Sequence, residues 1–287
     1  MPFSDFGRPK ADLNIRVSGN TLRPGDAVEA RVELMPREDF HVRLGRVELV
    51  RVETCVQITR SQYGTHYSKK THAVSLAEGT LMENQTVRRM GGHRRDVRFR
   101  LPTDALPTMN GAVVQKIEPG IGWEVRASLD VSRARDLSES QAFVVDRIPA
   151  FDDSPPQPVV EETAHRQCAL TLNLSRGEAR SGDRIGGSLR AEMIEDVDVD
   201  GVRVELVRKE KFGNEAQDHV VDRADLERDE TLESGEAREW SFSLDVGQVS
   251  IPSLETEKSS VTWLVKGILD RNLRRDLRVE REITVGF

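Results

Sequence analysis

The sequence predicts an all-β chain of two tandem antiparallel β-sandwich domains related by internal duplication. One observation is self-similarity: residues 13–53 align with residues 170–210 without a gap, and 15 of the 41 pairs are identical. The other is a two-residue alternation of apolar and polar side chains, which is typical of strands that place one face on a core. Stretches with the 3.6-residue period of a helix are scarce, so helix is expected to be a minor component.

The repeat also covers the end of each copy, at a different offset. Trp123 aligns with Trp263 at a shift of 140 residues, and residues 135–137 (Arg-Asp-Leu) align with residues 275–277 at the same shift. Because the first block aligns at a shift of 157, the first copy has 17 extra residues in its middle. The two blocks predict that Trp123 and Trp263 occupy equivalent core positions in two domains of one fold.

Strands and turns follow in the same order in both copies. Apolar residues alternate with polar ones over residues 13–17 and 170–174, which predicts the first strand of each copy. The turn Arg23–Asp26 has proline where φ is fixed and glycine where φ can be positive, as in a type II turn. The alternation resumes over residues 28–34 and again over residues 123–131.

One irregularity occurs at the same place in both copies. In the run Val47–Val52 the apolar residues Leu49 and Val50 are adjacent, so the apolar phase shifts by one residue. Such a shift turns every following side chain to the other face, and it predicts a β-bulge or a change of sheet. Leu206 and Val207 repeat the pattern.

The domain boundaries follow from the repeat and from composition. The first domain is predicted at residues 1–148 and the second at residues 164–287. Between them, residues 149–163 are acidic and contain four prolines, a composition typical of a linker.

Composition excludes several classes of protein. No stretch approaches the ~20 consecutive apolar residues of a transmembrane helix, and residues 1–6 do not resemble the start of a signal peptide. A cytoplasmic location is therefore expected, with peripheral attachment to a membrane as an option. Cys55 and Cys168 do not occupy equivalent positions in the repeat, so both are expected to be buried or half-buried free thiols.

Charge is unevenly distributed along the chain. Residues 1–150 carry 23 Lys and Arg against 19 Asp and Glu, a net charge of +4, whereas the remaining residues carry −11. The overall charge of −7 argues against a nucleic-acid partner, which would require a strongly basic face. The asymmetry gives the molecule a dipole that can orient it towards an anionic partner.

No motif for catalysis or cofactor binding is found in the sequence. Asp196–Gly201 matches the opening of an EF-hand calcium loop, but the twelfth position, which requires a bidentate acid, is Val207. We expect these alternating aspartates to lie on the solvated face of a strand instead. The six histidines are scattered and no cysteine or carboxylate cluster completes a three- or four-ligand site. We therefore expect a protein without enzymatic activity, metal or cofactor.

The candidate binding residues are Arg88, Arg89, Arg94 and Arg95, which flank the glycines of a predicted turn. Arginine forks match phosphate oxygens, so the turn is expected to contact an anionic partner, either a lipid surface or an acidic protein segment. The alternative is a solvated hairpin tip whose arginines pair with nearby acidic side chains.

The order of these elements resembles the arrestin superfamily. A Pro-Gly-Asp turn leads into the strand Val28–Leu34, and a proline-broken loop from Leu101 to Gly122 leads into Trp123–Ala127. This order is most similar to the bacterial sporulation-control arrestin-like proteins, and more distantly to the α-arrestins and the retromer-type arrestin-like subunits. The resemblance implies two arrestin-like, immunoglobulin-like β-sandwiches.

The resemblance also implies a function: a non-enzymatic adaptor, scaffold or regulatory protein that binds an unidentified protein partner. Residues 155–158 read Pro-Pro-Gln-Pro and lack the tyrosine of the Pro-Pro-x-Tyr motif, so ligase recruitment of the α-arrestin kind is not expected. The alternative function is a ligand-binding or hydrolytic protein with its site in the cleft between the domains. A convergent pocket with buried ionisable groups would favour that alternative.

Overall fold

The chain is all-β, as predicted. The computed structural model describes residues 7, 9–62, 64–146, 157–249, 251–271 and 274–286. Every regular element within these ranges is a strand, and no helix occurs in them. The chain divides into two compact units, one of residues 1–56 and 66–148 and the other of residues 57–65 and 149–287.

The first unit contains a three-stranded and a six-stranded sheet. Its strands are β1 (Ala11–Val17), β2 (Thr21–Leu22), β3 (Ala27–Pro36), β4 (Phe40–Ser61), β5 (Gly64–Val87), β6 (His93–Arg100), β7 (Met109–Asn110), β8 (Gly120–Val131) and β9 (Leu137–Val145). The adjoining ends of β4 and β5, residues 57–61 and 64–65, fall within the second unit. The order is β1-β3-β6 in the smaller sheet and β2-β9-β8-β4-β5 in the larger, where β7 pairs with β8. Alternate apolar side chains of both sheets, such as Val28, Val32, Leu49 and Val125, form one core.

The second unit contains a four-stranded and a six-stranded sheet. Its strands are β10 (Val159–Ala164), β11 (Cys168–Leu174), β12 (Glu178–Arg180), β13 (Arg184–Met193), β14 (Val197–Phe212), β15 (Glu215–Leu232), β16 (Ala237–Asp245), β17 (Leu254–Glu255), β18 (Ser259–Asp270) and β19 (Leu277–Gly286). The order is β10-β11-β13-β16 in one sheet and β12-β19-β18-β14-β15 in the other, where β17 pairs with β18.

Pairing registers correspond between the units. Trp123 on β8 lies opposite Arg51 on β4, and Trp263 on β18 lies opposite Arg208 on β14. Both tryptophans are almost fully buried, which confirms their predicted core positions. The extra residues of the first copy lie largely in β4 and β5, which have 22 and 24 residues against 16 and 18 in β14 and β15.

The predicted glycine turns are confirmed. Gly25 has a φ of +85°, and the amide of Asp26 donates to the carbonyl of Arg23 at 2.9 Å. Gly182, with a φ of +83°, occupies the corresponding turn of the second unit. Positive φ at these positions favours glycine because a Cβ would be strained there.

The predicted irregularity is confirmed in the second unit. The register between β14 and β15 shifts between Leu206 and Val207. On its other side, β14 pairs with β18 without a shift at this point, and the corresponding pair of the first unit, β4 and β8, also stays in register at Leu49 and Val50 and shifts only between Val42 and Leu44.

The segment predicted as a linker ends earlier than expected. Residues 159–163 belong to β10, which pairs with β11. Every second side chain of this strand is partly buried. Residues 149–156 of the predicted linker lie outside the described residues.

Candidate anion-binding site

The predicted arginine turn lies between two sheets. Residues 88–92 connect β5, in the larger sheet of the first unit, to β6, in the smaller one. The alternative of a hairpin tip is therefore wrong, because β5 and β6 lie in different sheets and do not pair with each other. The turn carries the chain from one sheet to the other at an edge of the unit.

The backbone of this turn is fixed while its side chains are exposed. The amide of Arg89 donates to Oδ1 of Asp39 at 2.6 Å, and the amide of Met90 donates to the carbonyl of Pro36 at 3.0 Å. Met90 has a φ of +63° and an exposure of 85%. A fixed turn presents its side chains with little additional loss of backbone entropy on binding.

Within the described residues, the guanidinium groups of three of the four predicted arginines form no ion pair. Arg94 lies 3.7 Å from the carboxylate of Asp96. Among the residues that the structure describes, Arg88, Arg89 and Arg95 form no ion pair. The alternative in which nearby acids neutralise the turn is therefore wrong for these three, and their guanidinium groups are available to an external anion.

Strand β6 extends the basic surface beyond Arg95. Arg94, Asp96, Arg98 and Arg100 alternate onto its solvated face, while Phe99 packs into the core. Residues 88–100 contain six arginines and one aspartate, so the excess positive charge of the first half is concentrated here. Arg98 and Arg100 were not among the predicted binding residues, although their two-residue spacing from Arg94 indicates one strand face.

The single acid of this strand is engaged within its own sheet. Arg31 on β3 donates to Oδ1 of Asp96 at 2.8 Å. This hydrogen bond lowers the pKa of Asp96, so the group remains a carboxylate at neutral pH. Glu29 lies 3.6 Å from Arg98. These exposed pairs are weak and open to exchange with an external carboxylate.

A cavity of about 220 Å³ lies between β6 and β5. Its apolar wall includes Leu13, Leu34, Leu81 and Met82, and its polar wall includes His93, Arg94 and Arg95. The volume is below the roughly 300–1,000 Å³ that is usual for small-molecule sites. The cavity therefore suits one apolar side chain of a partner better than a free metabolite.

Comparison with known proteins leaves the site to be interpreted from its geometry. No protein-family model matches the chain, and no curated protein is similar enough to count as a match.

The aspartates that resemble a calcium loop lie on a strand, as expected. Asp198 and Asp200 are on the exposed face of β14, and Oδ1 of Asp198 accepts a hydrogen bond of 2.8 Å from Thr231 on the neighbouring strand. In the described ranges, no group of three or more His, Cys, Asp and Glu side chains is arranged to hold a metal ion.

We predict that calcium has no effect on this protein. An extended strand holds successive aspartates apart, so they cannot converge on one ion as the carboxylates of an EF-hand loop do. Calorimetric titration of the chain with calcium should show only the heat of dilution. Micromolar binding that disappears in Asp198→Asn would contradict this prediction.

Both cysteines are buried, as expected. Burial raises the pKa of the Cys168 thiol to about 11, and Arg271 opposes this shift only in part. The thiol is therefore protonated at neutral pH and is a poor nucleophile.

Within the part of the chain described, there is no helix long and apolar enough to cross a membrane.

Proposed function

We propose that this chain is a non-enzymatic adaptor or scaffold of the arrestin-like type, built by duplication of one β-sandwich. The matching strand orders, pairing registers and buried tryptophans of the two units support the duplication. The role as an adaptor is supported by the basic site, which is solvent-exposed rather than enclosed.

The observation that carries the function is the set of unpaired arginines on the turn and on β6. Arg88, Arg89 and Arg95 are exposed and form no ion pair within the described residues. The exposed Met90, which follows Arg88 and Arg89 in the same turn, adds apolar area to the charge offered to a partner. Arginine and methionine are enriched at protein interfaces. The first unit therefore binds an anionic partner through residues 88–95.

Loss of these charges should abolish binding to an anionic probe. The test compares wild type with the variant Arg88→Gln, Arg89→Gln, Arg94→Gln and Arg95→Gln. Two probes are used: labelled polyglutamate, followed by fluorescence anisotropy, and phosphatidylserine vesicles, followed by sedimentation. Binding of the wild type should weaken with salt, because exposed charges are screened beyond a Debye length of about 8 Å at physiological ionic strength.

A matched control removes four exposed arginines from the second unit. The variant Arg166→Gln, Arg184→Gln, Arg228→Gln and Arg274→Gln makes the same change in net charge at exposed positions. This variant should bind both probes substantially better than the arginine-turn variant does, because it leaves the proposed site intact. Equal binding by wild type and both variants would refute the proposed site. Binding of vesicles but not of polyglutamate would point to a lipid surface.

A further inference from the structure

Strand β6 has an open edge, and the hydrogen-bond pattern shows which backbone groups face it. The amide of Ser18 donates to the carbonyl of Glu29 at 2.8 Å, so Glu29 on β3 points towards β1. Backbone groups of successive strand residues point to opposite edges. Since Glu29 lies opposite Arg98, the amides and carbonyls of Arg94, Asp96 and Arg98 point away from β3.

Nothing in the described part of the chain pairs with this edge. The smaller sheet of the first unit ends at β6, which is bonded to β3 alone. An unpaired edge with exposed side chains is a template for a further strand. Its residues are basic, which discourages association with a second basic edge and favours an acidic segment.

The second unit covers the corresponding edge with its own acids. The amide of Asp245 on β16 donates to Oδ2 of Asp222 on β15 at 2.6 Å. Nε1 of Trp240 donates to Oε2 of Glu227 at 2.7 Å. Arg238 also forms an ion pair with Glu227 at 3.0 Å. Carboxylates of a neighbouring strand thus neutralise and bind this edge within one unit.

The first unit lacks those carboxylates. The pairing registers relate β6 to β16 at an offset of 145 residues. The same offset places Ala77 and Met82 of β5 at the positions of Asp222 and Glu227, while Arg95 takes the position of Trp240. The first unit therefore has arginines (Arg94, Arg98 and Arg100) where the second unit has Glu239, Ser243 and Asp245, and it has apolar residues where the second unit has acids on the neighbouring strand.

We propose that β6 is the acceptor strand for an extended acidic segment of a protein partner, which adds to the open edge and supplies these missing carboxylates. This proposal rests on the proposed function and specifies the partner of the same arginines. The segment forms main-chain hydrogen bonds with Arg94, Asp96 and Arg98. Its acidic side chains lie beside the arginines on the solvated face, and one apolar side chain between them enters the cavity next to Met82.

The backbone component is tested with N-methylated peptides. The probe is a labelled peptide of alternating glutamate and valine, roughly ten residues long so that it spans the eight residues of β6. In an added strand, alternate amides point towards β6. Methylation of one alternate set should abolish binding to the full chain, and methylation of the other set should leave affinity within about threefold. Equal effects of the two sets would overturn strand addition.

The site is tested with substitutions at Met82 and Asp96. Met82→Glu installs the acid that the second unit has at this position, next to Arg95, and should weaken peptide binding about tenfold through internal competition. Met82→Gln is the neutral control and should bind as wild type does. Asp96→Asn removes a repelling carboxylate and should tighten binding about threefold. Because Asp96 is exposed, this variant keeps the proposal testable if Met82→Glu disturbs folding.

The outcomes separate this proposal from the proposed function. Loss of binding in the four-arginine variant, together with indifference to N-methylation, would retain the anionic partner but reject strand addition. Unchanged peptide binding in the four-arginine variant would reject both. Attachment to phosphatidylserine vesicles without peptide binding would overturn the peptide proposal in favour of a membrane surface.

Discussion

Replacing Trp263 with alanine will lower the free energy of unfolding of the second unit by about 3–5 kcal/mol. The side chain is 1% exposed, and its Nε1 donates to the carbonyl of Ile251 at 3.2 Å. Truncation opens a cavity and leaves this carbonyl without its donor, and both effects destabilise the fold. Trp123 is held in the same way by the carbonyl of Leu106 at 2.9 Å, so Trp123→Ala should have a similar effect on the first unit.

Urea denaturation followed by far-ultraviolet circular dichroism measures both effects without relying on tryptophan fluorescence. Trp263→Phe is the matched control, because it keeps an aromatic ring but removes the donor. It should cost less than the alanine substitution. A loss below about 1 kcal/mol for Trp263→Ala would contradict this prediction, because it would mean that the buried side chain does not anchor the core.

The all-β fold could be predicted from the sequence because two segments of the chain carry the same strand pattern. The alignment of Trp123 with Trp263, and the shared Gly-Asp turns, indicate corresponding strands in the two halves of the chain. Period-two alternation identified faces correctly, since burial follows it closely in β8 and β18. The irregularity at Leu206 was visible because the apolar phase shifts there, and the pairing of β14 with β15 shows that a register shift, one of the two predicted causes, produces it.

The path of the arginine turn was not accessible in the same way. A glycine turn between two strands has the same local composition whether it closes a hairpin or crosses to another sheet. The choice depends on which strands pair, and pairing is a long-range property. The strand face shared by Arg94, Arg98 and Arg100 was visible in their two-residue spacing, but the contrast between Met82 and Glu227 depends on pairing. That contrast becomes meaningful only when β6 and β16 are aligned.

Each unit also buries one arginine–glutamate pair beside its tryptophan. Arg51 lies 2.9 Å from Glu53, and Arg208 lies 2.7 Å from Glu210. The glutamates are 1% and 3% exposed, and both pairs occupy the same place in the aligned repeat. The guanidinium of Arg208 also lies 5.7 Å from the centre of the Trp263 ring. An ion pair thus lies next to the buried tryptophan in each unit.

Glu210→Gln will therefore destabilise the second unit by about 3 kcal/mol, because it leaves the charge of Arg208 poorly compensated in a largely buried site. The lower end of the usual range is expected, since the side chain of Arg208 is 19% exposed. Glu192→Gln is the matched control: Glu192 pairs with Arg190 at 2.6 Å with the same spacing on an exposed strand face, and its loss should cost less than about 1 kcal/mol. A double-mutant cycle with Arg208→Met measures the coupling between the two charges, which should exceed about 1 kcal/mol. Equal losses for Glu210→Gln and Glu192→Gln, or a coupling near zero, would show that burial of this pair does not strengthen it.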